Sequence, residues 1–181
     1  MELDRGAPLM LAIDPGYHCG VCLCYEHLWD VVQIGPPQTG TTARRRTNLA
    51  QTILSVLKDQ GRWPRVVMEI GKGRKGRSAQ SSVGLGLTAG AWHAAESDPK
   101  GWRYLDPGKW QKRHWKLEIR SLLTPATWAE IESDAYKDAQ AALGIALYAR
   151  AHQADMWGKL PKVQYPESIV LRLGPELLSW C

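Results

Sequence analysis

Three short apolar runs fill the first 34 residues and limit what the chain can become. Residues 9–14 (LMLAID) read as a strand, and Asp-Pro-Gly then turns the chain. Residues 19–26 and 28–34 read as two more strands joined by a short connection. Together the three predict an antiparallel meander. After the loop GPPQTGTTA, residues 44–60 (RRRTNLAQTILSVLKDQ) have the period of an amphipathic helix. Leu49, Ile53, Val56 and Leu57 share one face, and Gly61 stops it. Residues 65–70 (RVVMEI) are almost continuously apolar, as expected of a central, parallel strand.

The second half alternates helix and strand. GKGRKGR is a loop, and SAQSSVGLGLTAGAWHAAES reads as a helix in which Gly84, Gly86 and Gly90 lower intrinsic stability but allow close packing. Residues 101–105 give a short fifth strand, and DPGKWQKRHWKLEIRSLL a basic turn and helix. Thr124 and Pro125 resemble a helix N-cap and a first-turn proline. Helix then runs to about Met156, with a break near Ser133. The tail from Gly158 is richer in proline and holds one short apolar run, SIVLRL. The order βββαβαβα is a mixed α/β arrangement. No internal repeat and no linker calls for two domains, and 181 residues suffice for one real core.

Composition excludes some classes. No apolar run reaches the length of a membrane span, and MELDRGAP is too acidic for a secretory signal. A soluble cytosolic protein is expected. A net charge of +5 suits a polyanionic partner. Cys19, Cys22 and Cys24 invite a zinc reading, but no second ligand pair accompanies them. The alternation of CGVCLCY favours a strand with buried thiols.

Four carboxylates carry the chemistry. Asp14 closes the first apolar run ahead of Pro15 and Gly16, and Glu69 closes RVVMEI ahead of Gly71. Asp134 and Asp138 sit just before or within an alanine-rich helical stretch, DAYKDAQAALGIALYA. Ionised groups at the ends of buried elements are costly unless compensated. A divalent cation held by several of them is the natural compensation, and oxygen donors suit Mg²⁺ or Mn²⁺. If the strands of Asp14 and Glu69 are parallel neighbours, both carboxylates converge at the sheet edge where open α/β sheets place their sites.

LAIDPG on the first strand, VVMEI on the fourth and KDAQAALGIALYA on the last helix, in this order, resemble the RuvC-type Holliday junction resolvases of the ribonuclease H-like superfamily. The resemblance spans about residues 9–150. It implies a ribonuclease H-like fold, a mixed five-stranded sheet flanked by helices, over residues 1–157, with residues 158–181 as a C-terminal extension. It also implies a homodimeric, metal-dependent endonuclease that cuts four-way DNA junctions in recombination and repair. A bacterial cytoplasm, with a phage-encoded enzyme as one origin, fits that reading. Carried over by position, Asp14 matches the first acid, Glu69 the second, and Asp138 the acid opening the helix motif. The family's remaining acid lies three residues before that one, where this chain has Ala135. Asp134, four residues before Asp138, is the substitute, since positions four apart share a helix face. Two Mg²⁺ or Mn²⁺ ions per site would serve phosphodiester hydrolysis. Asp14 would bridge them, Glu69 and Asp138 would hold one each, and Asp134 would complete a shell or orient the water.

Basic segments supply a substrate surface. Lys72, Arg74, Lys75 and Arg77 follow Glu69 directly, and Lys109, Lys112, Arg113 and Lys116 form a second cluster interleaved with Trp110, His114 and Trp115. Such residues can neutralise phosphates, and the aromatics can stack on unpaired bases or wedge a junction. Three rivals remain. GKGRKGRS matches a phosphate-binding P-loop except that Arg77 stands where Lys is expected. A resolvase-like module could bind branched DNA without cutting it. Another ribonuclease H-like nuclease could act on flaps or RNA–DNA hybrids. Asp106, in a second Asp-Pro-Gly, reads as a turn former.

Overall fold

The N-terminal runs form β1 (Met10–Asp14), β2 (Cys19–Cys24) and β3 (Leu28–Ile34), and both β1–β2 and β2–β3 pair antiparallel. β4 (Arg65–Glu69) lies between β1 and β5 (Trp102–Leu105) and runs parallel to both. Its continuous apolar character follows from that central place, buried on both faces. The structure is a computed structural model that describes residues 8–15, 19–34, 50, 51, 54, 55, 65–70, 90, 92, 102–111, 115–133, 136–158 and 162–173.

The expected sheet of five strands has a sixth. SIVLRL forms β6 (Ser168–Leu173), parallel to β3, and the full order is β5-β4-β1-β2-β3-β6. Asp30 of β3 is wholly buried, and Arg172 of β6 places its Nε 3.4 Å from the Asp30 carboxylate. A buried carboxylate needs such a partner, so the pair helps fix β6 at the β3 edge.

Five helices are described: α1 (Pro107–Trp110), α2 (Trp115–Leu122), α3 (Pro125–Ile131), α4 (Lys137–Ala151) and α5 (Gln153–Trp157). Asp106 is the turn former expected of it, capping α1 by accepting a hydrogen bond from Gly108 N at 2.9 Å. Thr124 caps α3 through Thr127 N at 3.2 Å, with Pro125 next in the chain. The break near Ser133 falls between α3 and α4.

Strand alternation divides the core in two. Met10, Ala12, Cys22, Cys24, Trp29, Val31 and Val67 face α4, whose Ala139, Ala142, Leu143 and Ala146 are buried against them. Leu11, Ile13, Val21, Leu23, Val66 and Met68 line the opposite face with Ala50, Leu54 and Trp92. Of the helix expected over 44–60, residues 50, 51, 54 and 55 are described and helical. Its expected apolar face (Leu49, Ile53, Val56, Leu57) lies outside the described residues. So does most of the glycine-rich helix expected over 80–96, where Gly90 and Trp92 are helical.

α4 is buried around much of its circumference, and its small residues let it lie close to its neighbours. A Cβ on Gly144 would come within 2.8 Å of the Trp110 ring and 3.0 Å of the Trp115 ring. Glycine inside a helix costs about 0.5–1 kcal/mol relative to alanine; here the two indoles require it.

Cys19, Cys22 and Cys24 are buried on β2. The Cys22 and Cys24 sulfurs lie 3.7 Å apart on the α4 face. Burial, reinforced by the bond to Cys22, pushes the Cys24 thiol well above its ordinary pKa. Thiolate is the reactive form, so Cys24 is expected to resist iodoacetamide in the native protein at pH 8. Cys22 is expected to resist it because it is fully buried, and both are expected to be fully alkylated in denaturant. Peptide mass spectrometry reads both states; rapid native alkylation of either would contradict the packing.

Candidate active site at the end of the central strands

Asp14 and Glu69 are the last residues of β1 and β4. The parallel register runs from Met10↔Arg65 to Ile13↔Met68. Carried one residue on, it sets Asp14 beside Glu69, about 4.8 Å apart along the sheet. Both occupy the α4 face, because Ala12 and Val67, two residues earlier, do. Asp14 is half-buried and Glu69 is buried.

The third acid arrives from above. β1–β2 pairing sets Asp14 opposite Gly20, and β2–β3 pairing sets Gly20 opposite Gln33. The row Asp14–Gly20–Gln33 therefore crosses three strands on one face. The first turn of α4 rests on its middle: a Cβ on Gly20 would overlap the Asp138 carbonyl and approach Ala139 N to 2.8 Å. A bare backbone at Gly20 is what lets α4 descend onto the sheet end and bring half-buried Asp138 to the neighbourhood of Asp14.

Two neutral donors hold two of the acids. The Trp110 indole Nε1 donates to Glu69 Oε2 at 2.8 Å in a buried setting. Gln33, also buried, donates from Nε2 to Asp138 Oδ2 at 2.9 Å. Its Oε1 accepts from Asp138 N at 3.0 Å and Ala139 N at 2.7 Å. None of Gln33, Gly20 and the Trp110–Glu69 bond was marked as part of a site by sequence. Gln33 is a lone amide at a strand end whose partners lie about a hundred residues away. By sequence Trp110 reads equally as a base-stacking residue or as core. Its burial and its bond to Glu69 decide for the core: the ring packs under α4 beside Trp115, with centroids 5.2 Å apart.

Trp110→Phe keeps one aromatic ring and removes the donor with the pyrrole ring that carries it. It is expected to cost at least about 1–3 kcal/mol, the penalty for depriving a buried polar group of a partner together with the cavity left behind. Urea denaturation measures it, and no loss would show the bond to be incidental.

The remaining expected site residues divide plainly. Lys109 and Lys116 are exposed, on α1 and α2. Asp134, Lys72, Arg74, Lys75, Arg77, Lys112 and Arg113 lie outside the described residues. Among the described residues, no three His, Cys, Asp or Glu side chains stand close enough together to hold a metal ion as they are. Asp14, Glu69 and Asp138 share one end of one face, and their all-oxygen donor set is the kind Mg²⁺ or Mn²⁺ takes.

No protein-family model and no curated protein sequence matches the chain. Solved structures do. RuvC of T. thermophilus in complex with Holliday junction substrate aligns with a TM-score of 0.54 at 18% identity, covering 83% of this chain and 97% of that one. The fold is RuvC-like, of the ribonuclease H-like type. A second Thermus thermophilus RuvC structure aligns at a TM-score of 0.43 and 18% identity, over 78% of this chain and 95% of that one. In this fold β6 extends the sheet beyond β3, and Asp14 and Glu69 stand at the C-terminal ends of the central parallel strands. Among the described residues no helix is long and apolar enough to cross a membrane.

Proposed function

We propose that the chain is a metal-dependent endonuclease that resolves four-way junctions and other branched DNA by phosphodiester hydrolysis. One observation carries the reading: Asp14 and Glu69 end neighbouring parallel strands on the face where Gly20 admits Asp138. Open α/β sheets place their sites at such strand ends, and a bound cation would offset the charge of the carboxylates brought there.

Asp14, Glu69 and Asp138, with Asp134 as the candidate fourth, would hold two divalent ions. Bound there, the ions would lower the pKa of the attacking water and offset charge on the leaving 3′ oxygen. Gln33 and Trp110 keep two of the carboxylates oriented. Lys109 and Lys116, with Lys112, Arg113 and the basic run Lys72, Arg74, Lys75 and Arg77, would neutralise phosphates and so bind without base preference. A homodimer would present two such sites to the two strands cut at a junction.

A recognition module that binds branched DNA without cutting is the second reading. Its support is that Glu69 and Asp138 each already have a neutral protein donor, an arrangement that also serves stability alone.

A labelled four-way junction incubated with protein and Mg²⁺ or Mn²⁺, beside a linear duplex, separates the readings. Paired nicks across the junction that require metal are expected. Junction binding without nicks in either metal would favour the recognition module. Neither binding nor nicking would overturn the DNA reading, and ATP hydrolysis would then test the near-P-loop.

A further inference from the structure

We infer that Gln33 is a positioning residue for Asp138: from β3 it both caps α4 and fixes the Asp138 carboxylate for the ion that carboxylate is to bind. The inference rests on the metal reading above and deepens it.

α4 begins without a cap of its own. Tyr136 occupies the N-cap position and makes no side-chain capping bond. The first N–H groups of a helix have no partner within it, and a side-chain oxygen at the N-cap ordinarily accepts from the second or third. Gln33 Oε1 does this from another element, taking Asp138 N and Ala139 N together.

That choice decides the rest of the amide. With Oε1 committed to two N–H donors, the other end of the group can only be the NH₂, a pure donor. It meets Asp138 Oδ2. The same side chain thus fixes the backbone and the carboxylate of one residue. Gln33 is buried on β3 between β2 and β6, under the start of α4. Its neutrality matters as well. A Lys or Arg there would satisfy the carboxylate but compete with a cation for it. An amide orients the oxygen while leaving its charge available. Partners of this kind behind a metal ligand are typically worth 10–100-fold in metal affinity or activity.

Gln33→Met is the test, because methionine has similar length and no amide. Three measurements are made on the full chain, the second and third at a temperature where the variant remains folded by circular dichroism. Thermal unfolding is expected to fall by about 2–8 °C for the lost cap. Mn²⁺ binding without DNA, followed by electron paramagnetic resonance, is expected to weaken by about 10–100-fold. In junction cleavage, the Mn²⁺ concentration for half-maximal rate is expected to rise by a similar factor, with the rate at saturating Mn²⁺ recovering to within about threefold, as a bound ion itself orders Asp138. A purely structural cap would lower Tm and leave Mn²⁺ affinity and half-saturation unchanged, and that result would overturn the inference. Wild-type protein that binds no Mn²⁺ would overturn the metal reading itself, and this inference with it. Wild type and variant binding alike would overturn only the role given to Gln33.

Discussion

Asp14→Asn is expected to lower metal-dependent junction cleavage by about 10³-fold or more while leaving the fold intact. Asparagine keeps the shape of the side chain and removes its charge. Asp14 is the acid set between the other two, beside Glu69 on β4 and across from Gly20, on which Asp138 rests. On the proposed two-ion reading it would be the acid to serve both ions. Losing a ligand to ions that stabilise charge in a transition state removes several kcal/mol of that stabilisation. Carboxylates brought toward one sheet end repel one another, so neutralising one is expected to leave Tm unchanged or to raise it slightly. Gel-based cleavage and thermal unfolding on the same preparation read the two effects. Cleavage within tenfold of wild type would remove Asp14 from the chemistry.

Gly20→Ala is expected to have the opposite profile, a large loss of stability that takes function with it. The added methyl would overlap the backbone of Asp138 and meet Ala139 N, groups that cannot rotate away as a flexible side chain could. Relief requires the start of α4 to lift from the sheet. α4 supplies much of one core face and accepts its cap from Gln33, so lifting it disturbs packing and hydrogen bonding together. A cost of about 3 kcal/mol is expected, at the upper end for overpacking, read as a fall in Tm of roughly 6–12 °C. Gly90 is the matched control. It is exposed and helical, and a Cβ there would meet nothing within 4 Å. Gly90→Ala is expected to be neutral or stabilising by up to about 1 kcal/mol. Equal effects at the two positions would show that the close approach at Gly20 does not matter.

Much of this architecture could be read from local pattern. The meander, the central parallel strand at Val66–Met68 and the Thr124–Pro125 helix start all rest on spacing and on turn or capping residues, which act over a few positions. β6 was harder: SIVLRL is one short run among prolines, and what makes it a strand is a parallel edge on β3 and a buried partner for Arg172, far away in sequence. The same distinction divides the candidate site. Asp14 and Glu69 announce themselves because a charge at the end of an apolar run is conspicuous, and Asp138 because it opens the helix motif on which the resemblance rests. Gln33 and Gly20 do not. An amide inside LWDVVQI and a glycine inside CGVCLC are unremarkable until the chain brings α4 across them. Trp110 is ambiguous in sequence for a related reason, since its basic neighbours point to a nucleic-acid surface while its indole is turned into the core onto Glu69. Asp134 lies outside the described residues, and its part as a fourth ligand stays a proposal.

The measurement that bears most directly on the central claim is an anomalous difference map from crystals grown in Mn²⁺, collected at the manganese edge. The account predicts Mn²⁺ density bound by carboxylate oxygens of Asp14, Glu69 and Asp138 at the end of β1 and β4, with metal–oxygen distances of about 2.0–2.3 Å. A map without such a peak at saturating Mn²⁺, with the three carboxylates still held only by protein donors, would contradict it.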